Sequence, residues 1–96
     1  MTHVEIFLNR GFIVFEKRLS NYNRSAFEYE SNHSHEKDVL DEAYRIINSP
    51  SYELSDSEAE IQLEYLVNND TFIDIGDVIA VNDVPWVYTL SGMKKL

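Results

Sequence analysis

The chain has 96 residues, 44% of them hydrophobic and 12% aromatic, with three glycines, two prolines, no cysteine and a formal net charge of −9. That length accommodates one hydrophobic core and excludes a second domain, and the apolar content is enough to fold the chain despite its charge. The absence of cysteine excludes disulfides, thiolate zinc sites and thiol nucleophiles and fits a reducing cytoplasm, while the net charge opposes direct binding to nucleic-acid phosphate or anionic lipid.

Taken in chain order, residues 4–8 and 12–19 are rich in β-branched and aromatic side chains, and Asn9-Arg10-Gly11 between them tolerates positive φ, which predicts a β-hairpin. A polar stretch, 20–34, contains Phe27-Glu28-Tyr29-Glu30, whose alternation predicts a short third strand. Over 36–48, Val39, Leu40, Ala43, Tyr44, Ile46 and Ile47 recur at helical spacing, with Ser34 as the expected cap, Glu36 and Asp38 in the first turn, and Asn48-Ser49-Pro50 as the stop.

Ser55-Asp56-Ser57-Glu58 is a capping-box pattern that opens a second helix, whose buried face is expected at Ala59, Leu63, Leu66 and Val67 and whose stop is Asn68-Asn69-Asp70. From Phe72 a strand period returns through Ile73, Ile75, Val78, Ile79 and Val81, with Gly76 marking a bulge or sharp bend. Asn82-Asp83 turns the chain into a return strand over 84–90, where Pro85 belongs at the start or the edge because it cannot donate to a ladder. The order ββ(β)ααββ predicts a two-layer α+β fold over 1–96, a small antiparallel sheet with both helices packed on one face.

No apolar run approaches the roughly 20 residues that cross a bilayer. The opening Met1-Thr2-His3-Val4-Glu5 has neither the basic region nor the apolar segment of a secretory signal, so the mature protein is expected to be the whole chain.

Few residues form a recognisable chemical constellation. His33 and His35 followed by Glu36 are metal-ligand types on an extended segment, but a metal site needs three or four convergent ligands. Asp74 and Asp77 flank Gly76 and could act as paired carboxylates, with no His, Lys or Arg nearby in sequence to complete a mechanism. No serine sits in a nucleophile elbow, and Gly11, Gly76 and Gly92 are too dispersed to cradle a phosphate. The expectation is therefore a protein that is not an enzyme and has no metal or cofactor.

Charge is the more informative feature. Fifteen of the seventeen acids lie between residues 25 and 83, where there are only two bases, while the two ends carry six bases and two acids. Such a middle can serve as a solubilising surface, or it can present a negative face to a basic partner protein, in a groove otherwise meant for nucleic acid. The candidate protein-binding surface is Glu36, Asp38, Asp41, Glu42, Glu53, Asp56, Glu58, Glu60 and Glu64. An alternative surface is aromatic: Tyr22, Phe27 and Tyr29 lie in the polar segment, and Trp86 and Tyr88 share one face of the last strand, as core or as anchors of a regulatory or structural module.

Ile75-Gly76-Asp77-Val78-Ile79, Val81-Asn82-Asp83, Trp86-Val87-Tyr88 and Ser91-Gly92-Met93, together with the helix residues 40–48, resemble YodL-like domains, small proteins carried largely by phages, plasmids and other mobile elements. Phe72-Ile73-Asp74-Ile75 stands where that pattern has serines, and Met93 where it has an aromatic. The resemblance implies no reaction and no catalytic residues. What it implies is a setting, a short accessory protein acting in the cytoplasm of a bacterial host, and with it the expected function: binding and inhibiting a host protein, such as a nucleic-acid-handling defence factor, through the acidic surface.

Overall fold

The computed structural model describes residues 1–8 and 25–96. Among these residues the elements are β1 (Thr2–Phe7), β2 (Ser25–Ser31), α1 (Glu36–Asn48), α2 (Asp56–Asn68), β3 (Val78–Val81), β4 (Val84–Thr89) and β5 (Gly92–Lys95), with a 3-10 turn at Ser51–Glu53. The expected turn at Asn9-Arg10-Gly11, the expected strand over 12–19 and Tyr22 lie outside the described residues.

The strands form one antiparallel sheet in the order β2-β1-β3-β4-β5. Both edges of β1 are occupied, by β2 through Val4 opposite Tyr29 and by β3 through Ile6 opposite Ile79. Successive side chains on a strand point to opposite faces. Val4, Ile6, Tyr29, Ile79 and Val81 therefore face one side, where Val39, Leu40, Ala43, Ile46, Ile47 and Tyr65 of the helices complete the main core. On the other side Phe7, Val78, Ala80 and Val87 form a second buried cluster. The two-layer α+β architecture, with both helices on one face, is the arrangement that the element pattern predicts.

Helix α1 matches its expected span and buried stripe, because its apolar residues are confined to one side. Its N-cap is His35 rather than Ser34, and no side chain caps it. Helix α2 begins at the predicted capping box: Glu58 N donates to Ser55 Oγ (3.3 Å) and Ser55 N to Glu58 Oε1 (3.0 Å).

The face of α2 differs from the expectation. Gln62 and Tyr65 are buried and Ala59 is half-buried, while Leu63, Leu66 and Val67 are exposed. The reason is polar. Gln62 Nε2 donates to the carbonyls of Ile46 (2.8 Å) and Ser49 (2.7 Å), and the Tyr65 hydroxyl donates to Thr71 O (2.6 Å). In an α-helix the Ile46 carbonyl would accept from the N–H of residue 50, and residue 50 is proline. Gln62 supplies the donor that Pro50 lacks, and buried carbonyls demand one.

Residues 72–75 are not a strand either. Asn48 Nδ2 donates to Ile73 O and Ile73 N donates to Asn48 Oδ1, both at 2.9 Å, so a side-chain amide pairs with this backbone as a neighbouring strand would. The strand begins only at Val78, after a turn in which Asp77 N donates to Asp74 O (3.0 Å) and Gly76 adopts φ 93°. Gly76 N then donates to Tyr88 O and Tyr88 N to Asp77 O, both at 2.9 Å. Two residues face one across this ladder, so Gly76 makes the expected bulge at a φ that an L-residue resists.

Asn82 and Asp83 both have positive φ (49° and 67°), the tight hairpin geometry between β3 and β4. Pro85 sits at the start of β4 as expected, but β4 is not an edge strand, because the chain turns again and adds β5, a strand beyond the expected ββ(β)ααββ order.

Candidate functional site

Both helices cover the same face of the sheet, so their outward sides form one layer, and residues 36–68 contribute nine acids against two bases, Lys37 and Arg45. The nine carboxylates of the candidate surface divide cleanly. Glu36, Glu42 and Glu58 are half-buried and engaged within the fold, whereas Asp38, Asp41, Glu53, Asp56, Glu60 and Glu64 are exposed.

The engaged three act structurally. Glu58 accepts from Arg45 Nη1 (2.9 Å) and Nη2 (2.5 Å), a two-point pair that joins α2 to α1. The Arg45 guanidinium, with the Ser55 backbone N–H, holds the Glu58 carboxyl down at about 2. Glu42 accepts from the Tyr29 hydroxyl (2.9 Å) and lies 3.3 Å from His33 Nε2. Burial, with Glu42 beside it, pushes the Tyr29 hydroxyl upward, so it remains a donor. Glu36 accepts from Trp86 Nε1 (3.2 Å) and lies 3.9 Å from Lys95 Nζ.

An apolar feature borders the acids. Leu63, Leu66 and Val67, at i, i+3 and i+4, project from α2 with 64%, 45% and 77% of their surface exposed, and Phe72 just beyond the helix is 64% exposed. Residues Asp70, Thr71, Phe72, Ile73 and Asp74 line an open hollow there. The apolar signal was legible in the sequence, but the periodicity alone assigned it to the core.

The other sequence candidates are placed as follows. His33 and His35 do not converge with Glu36: His33 turns toward Glu42, and His35 is the exposed cap residue of α1. Asp74 and Asp77 organise a turn, Asp77 Oδ2 accepting from Asp74 N (2.8 Å) and Asp74 Oδ1 from Ile75 N (2.7 Å). Trp86 and Tyr88 lie on the helix side of β4, half-buried against the main core, with the Tyr88 hydroxyl 3.3 Å from that of Tyr44. Phe27 and Tyr29 stack in that core as well, with ring centroids 6.1 Å apart. Beside Trp86, a cleft of about 200 Å³ is lined by Lys37, Leu40, Asp41 and Met93. It falls below the roughly 300–1,000 Å³ of small-molecule pockets.

One cluster is invisible to sequence spacing because it spans two strands. His3, Glu5 and Glu28 bring one ligand atom each within 4.8 Å of one another. Carboxylates and an imidazole could hold a divalent cation. Here the imidazole is already engaged, Nε2 lying 3.0 Å from Glu28 and Nδ1 3.2 Å from Glu30. The Glu30 hydrogen bond raises the His3 pKa above its ordinary 6.5, in keeping with an ion pair across the two strands.

No protein-family model, curated protein or solved structure matches this chain. Among the described residues, no helix is long and apolar enough to cross a membrane.

Proposed function

We propose that this chain is a non-catalytic binding protein, of the kind carried by phages and other mobile elements, that docks its acidic helical layer on a basic surface of a bacterial host protein and inhibits it. The single observation that carries this reading is the six exposed carboxylates, Asp38, Asp41, Glu53, Asp56, Glu60 and Glu64, borne by one layer that has only two bases. Carboxylates so arranged raise the association rate with a positively charged groove and disfavour like-charged partners. The mobile-element setting draws its support from the YodL-like pattern around Gly76-Asp77-Val78-Ile79. The aromatic alternative is less favoured, since Trp86 and Tyr88 pack against the core and are held by Glu36 and Tyr44.

The test is affinity capture from bacterial lysate with the chain immobilised at 0.1 M salt, followed by elution at 0.5 M and identification of what elutes. The expected partner has a basic surface and is released by salt, because screening shortens the reach of exposed charges. Partners that are themselves acidic, or retention indifferent to ionic strength, would refute the reading.

A further inference from the structure

We infer that the outward stripe of α2, Leu63, Leu66 and Val67, is the docking site for a basic amphipathic helix of the partner protein. The inference rests on reading the helical layer as an interface, and it names the element of the partner that this interface takes. Three observations carry it.

The stripe is fixed outward. Turning it toward the sheet would rotate Gln62 off the Ile46 and Ser49 carbonyls and Tyr65 off Thr71. It would also break the T-shaped contact of Tyr65 with Phe27, whose ring centroids are 5.7 Å apart. Three large apolar side chains of α2, Leu63, Leu66 and Val67, between 45% and 77% exposed, therefore remain largely in water. Contiguous exposed apolar side chains rimmed by polar residues mark interaction sites.

The rim is acidic. Glu60 and Glu64 precede Leu63 and Val67 by three residues each, so a carboxylate neighbours both of these side chains on the helix surface. Asp56 lies one turn before Glu60, and Asp70 follows the helix beside Phe72.

The combination selects the occupant. A second copy of this chain would bring two acid-rimmed stripes together, each in a protein of net charge −9. An anionic membrane is repelled by the same groups. A channel built only for phosphates offers positive charge without an apolar face. A helix with leucine-like side chains on one face and Lys or Arg along its edges satisfies stripe and rim together, in the helix-in-groove mode of recognition.

The experiment uses the full chain and three fluorescein-labelled synthetic 18-residue helical peptides: Leu/Lys with an apolar face and basic edges, Gln/Lys with the charge alone, and Leu/Gln with the apolar face alone. Fluorescence anisotropy measures affinity, and amide NMR shifts locate the site. The Leu/Lys peptide should bind at least tenfold more tightly than either of the others. Its shifts should centre on α2, and raising salt from 0.05 to 0.5 M should weaken it at least tenfold. The pair Leu63→Gln and Val67→Gln, which keeps good helix formers at solvent positions, should weaken binding at least tenfold with an unchanged circular dichroism spectrum. The pair Asp38→Asn and Asp41→Asn on α1 should weaken it far less.

Equal binding of the Gln/Lys and Leu/Lys peptides, or of the Leu/Gln and Leu/Lys peptides, would overturn the inference. So would a dimer in sedimentation equilibrium that the α2 pair dissolves, since the occupant would then be a second copy. Binding abolished by the α1 pair but untouched by the α2 pair would reject the stripe while leaving the acidic layer as an interface. Failure of every basic peptide to bind would remove both.

Discussion

Replacing Gln62 with Met tests which way α2 faces. The change keeps the length of the side chain but removes two hydrogen bonds, to Ile46 O and Ser49 O. Ser49 is half-buried, and water can reach its carbonyl. The Ile46 carbonyl belongs to a fully buried residue, and Pro50 has no N–H to offer it. A neutral hydrogen bond contributes about 0.5–1.5 kcal/mol net, and a stranded buried carbonyl costs about 1–3 kcal/mol. The variant should therefore lose about 2–3 kcal/mol, which in a domain of this size lowers Tm by roughly 10–20 °C. Next to it in sequence, Leu63→Gln sits in solvent and should change stability by no more than about 0.5 kcal/mol. Urea denaturation followed by circular dichroism measures both. A Gln62→Met protein as stable as the parent, alongside a Leu63→Gln protein that loses about 2 kcal/mol or more, a loss typical of a core position, would show α2 rotated to the face that periodicity assigns it and would refute the reasoning.

Asp83→Gly should stabilise the chain by about 0.5 kcal/mol in the same assay, because Asp83 holds φ 67° in a turn that favours Asn-Gly, and the relief is partly offset by the entropy of glycine. Glu58, held at about 2 against an ordinary 4.5, contributes stability that is fully present above pH 4.5 and is lost as pH falls from there toward 2. Carboxyl NMR should find Glu58 ionised at pH 3, and Arg45→Met should return its midpoint toward 4.5. His3 should titrate above 6.5 by NMR of its ring protons. Its pairs with Glu28 and Glu30 stabilise the fold below pH 6.5 and fade as pH rises through the folded-state value, so a midpoint at or below 6.5 would disprove the pairing.

Local chemistry that repeats within a few residues was legible. Helix α1 could be read because its apolar positions share one stripe, and the start of α2 because a capping box is complete within four residues. Gly76 and Asn82-Asp83 could be read because positive φ has a narrow residue preference. Strand β5 escaped because Gly92-Met93-Lys94-Lys95 has no apolar alternation; among the described residues it pairs with β4 alone. The nine carboxylates were legible as a list, but nothing local says that Glu36, Glu42 and Glu58 are engaged by Trp86, Tyr29 and Arg45 while the other six face water.

The amino-acid sequence by itself determined the class of the fold, the extent of both helices and the acidity of the middle of the chain, because these follow from period, capping and composition. Tertiary structure alone decided which face of α2 is buried, that residues 72–75 are not a strand, and that β1 lies between β2 and β3. Those outcomes rest on hydrogen bonds between residues far apart in the chain, from Gln62 to the end of α1 and from Asn48 to Ile73. A buried carbonyl must find a donor wherever one is available, and Gln62, which supplies it, shares its face of α2 with Tyr65, whose ring fills the core in place of the three apolar side chains.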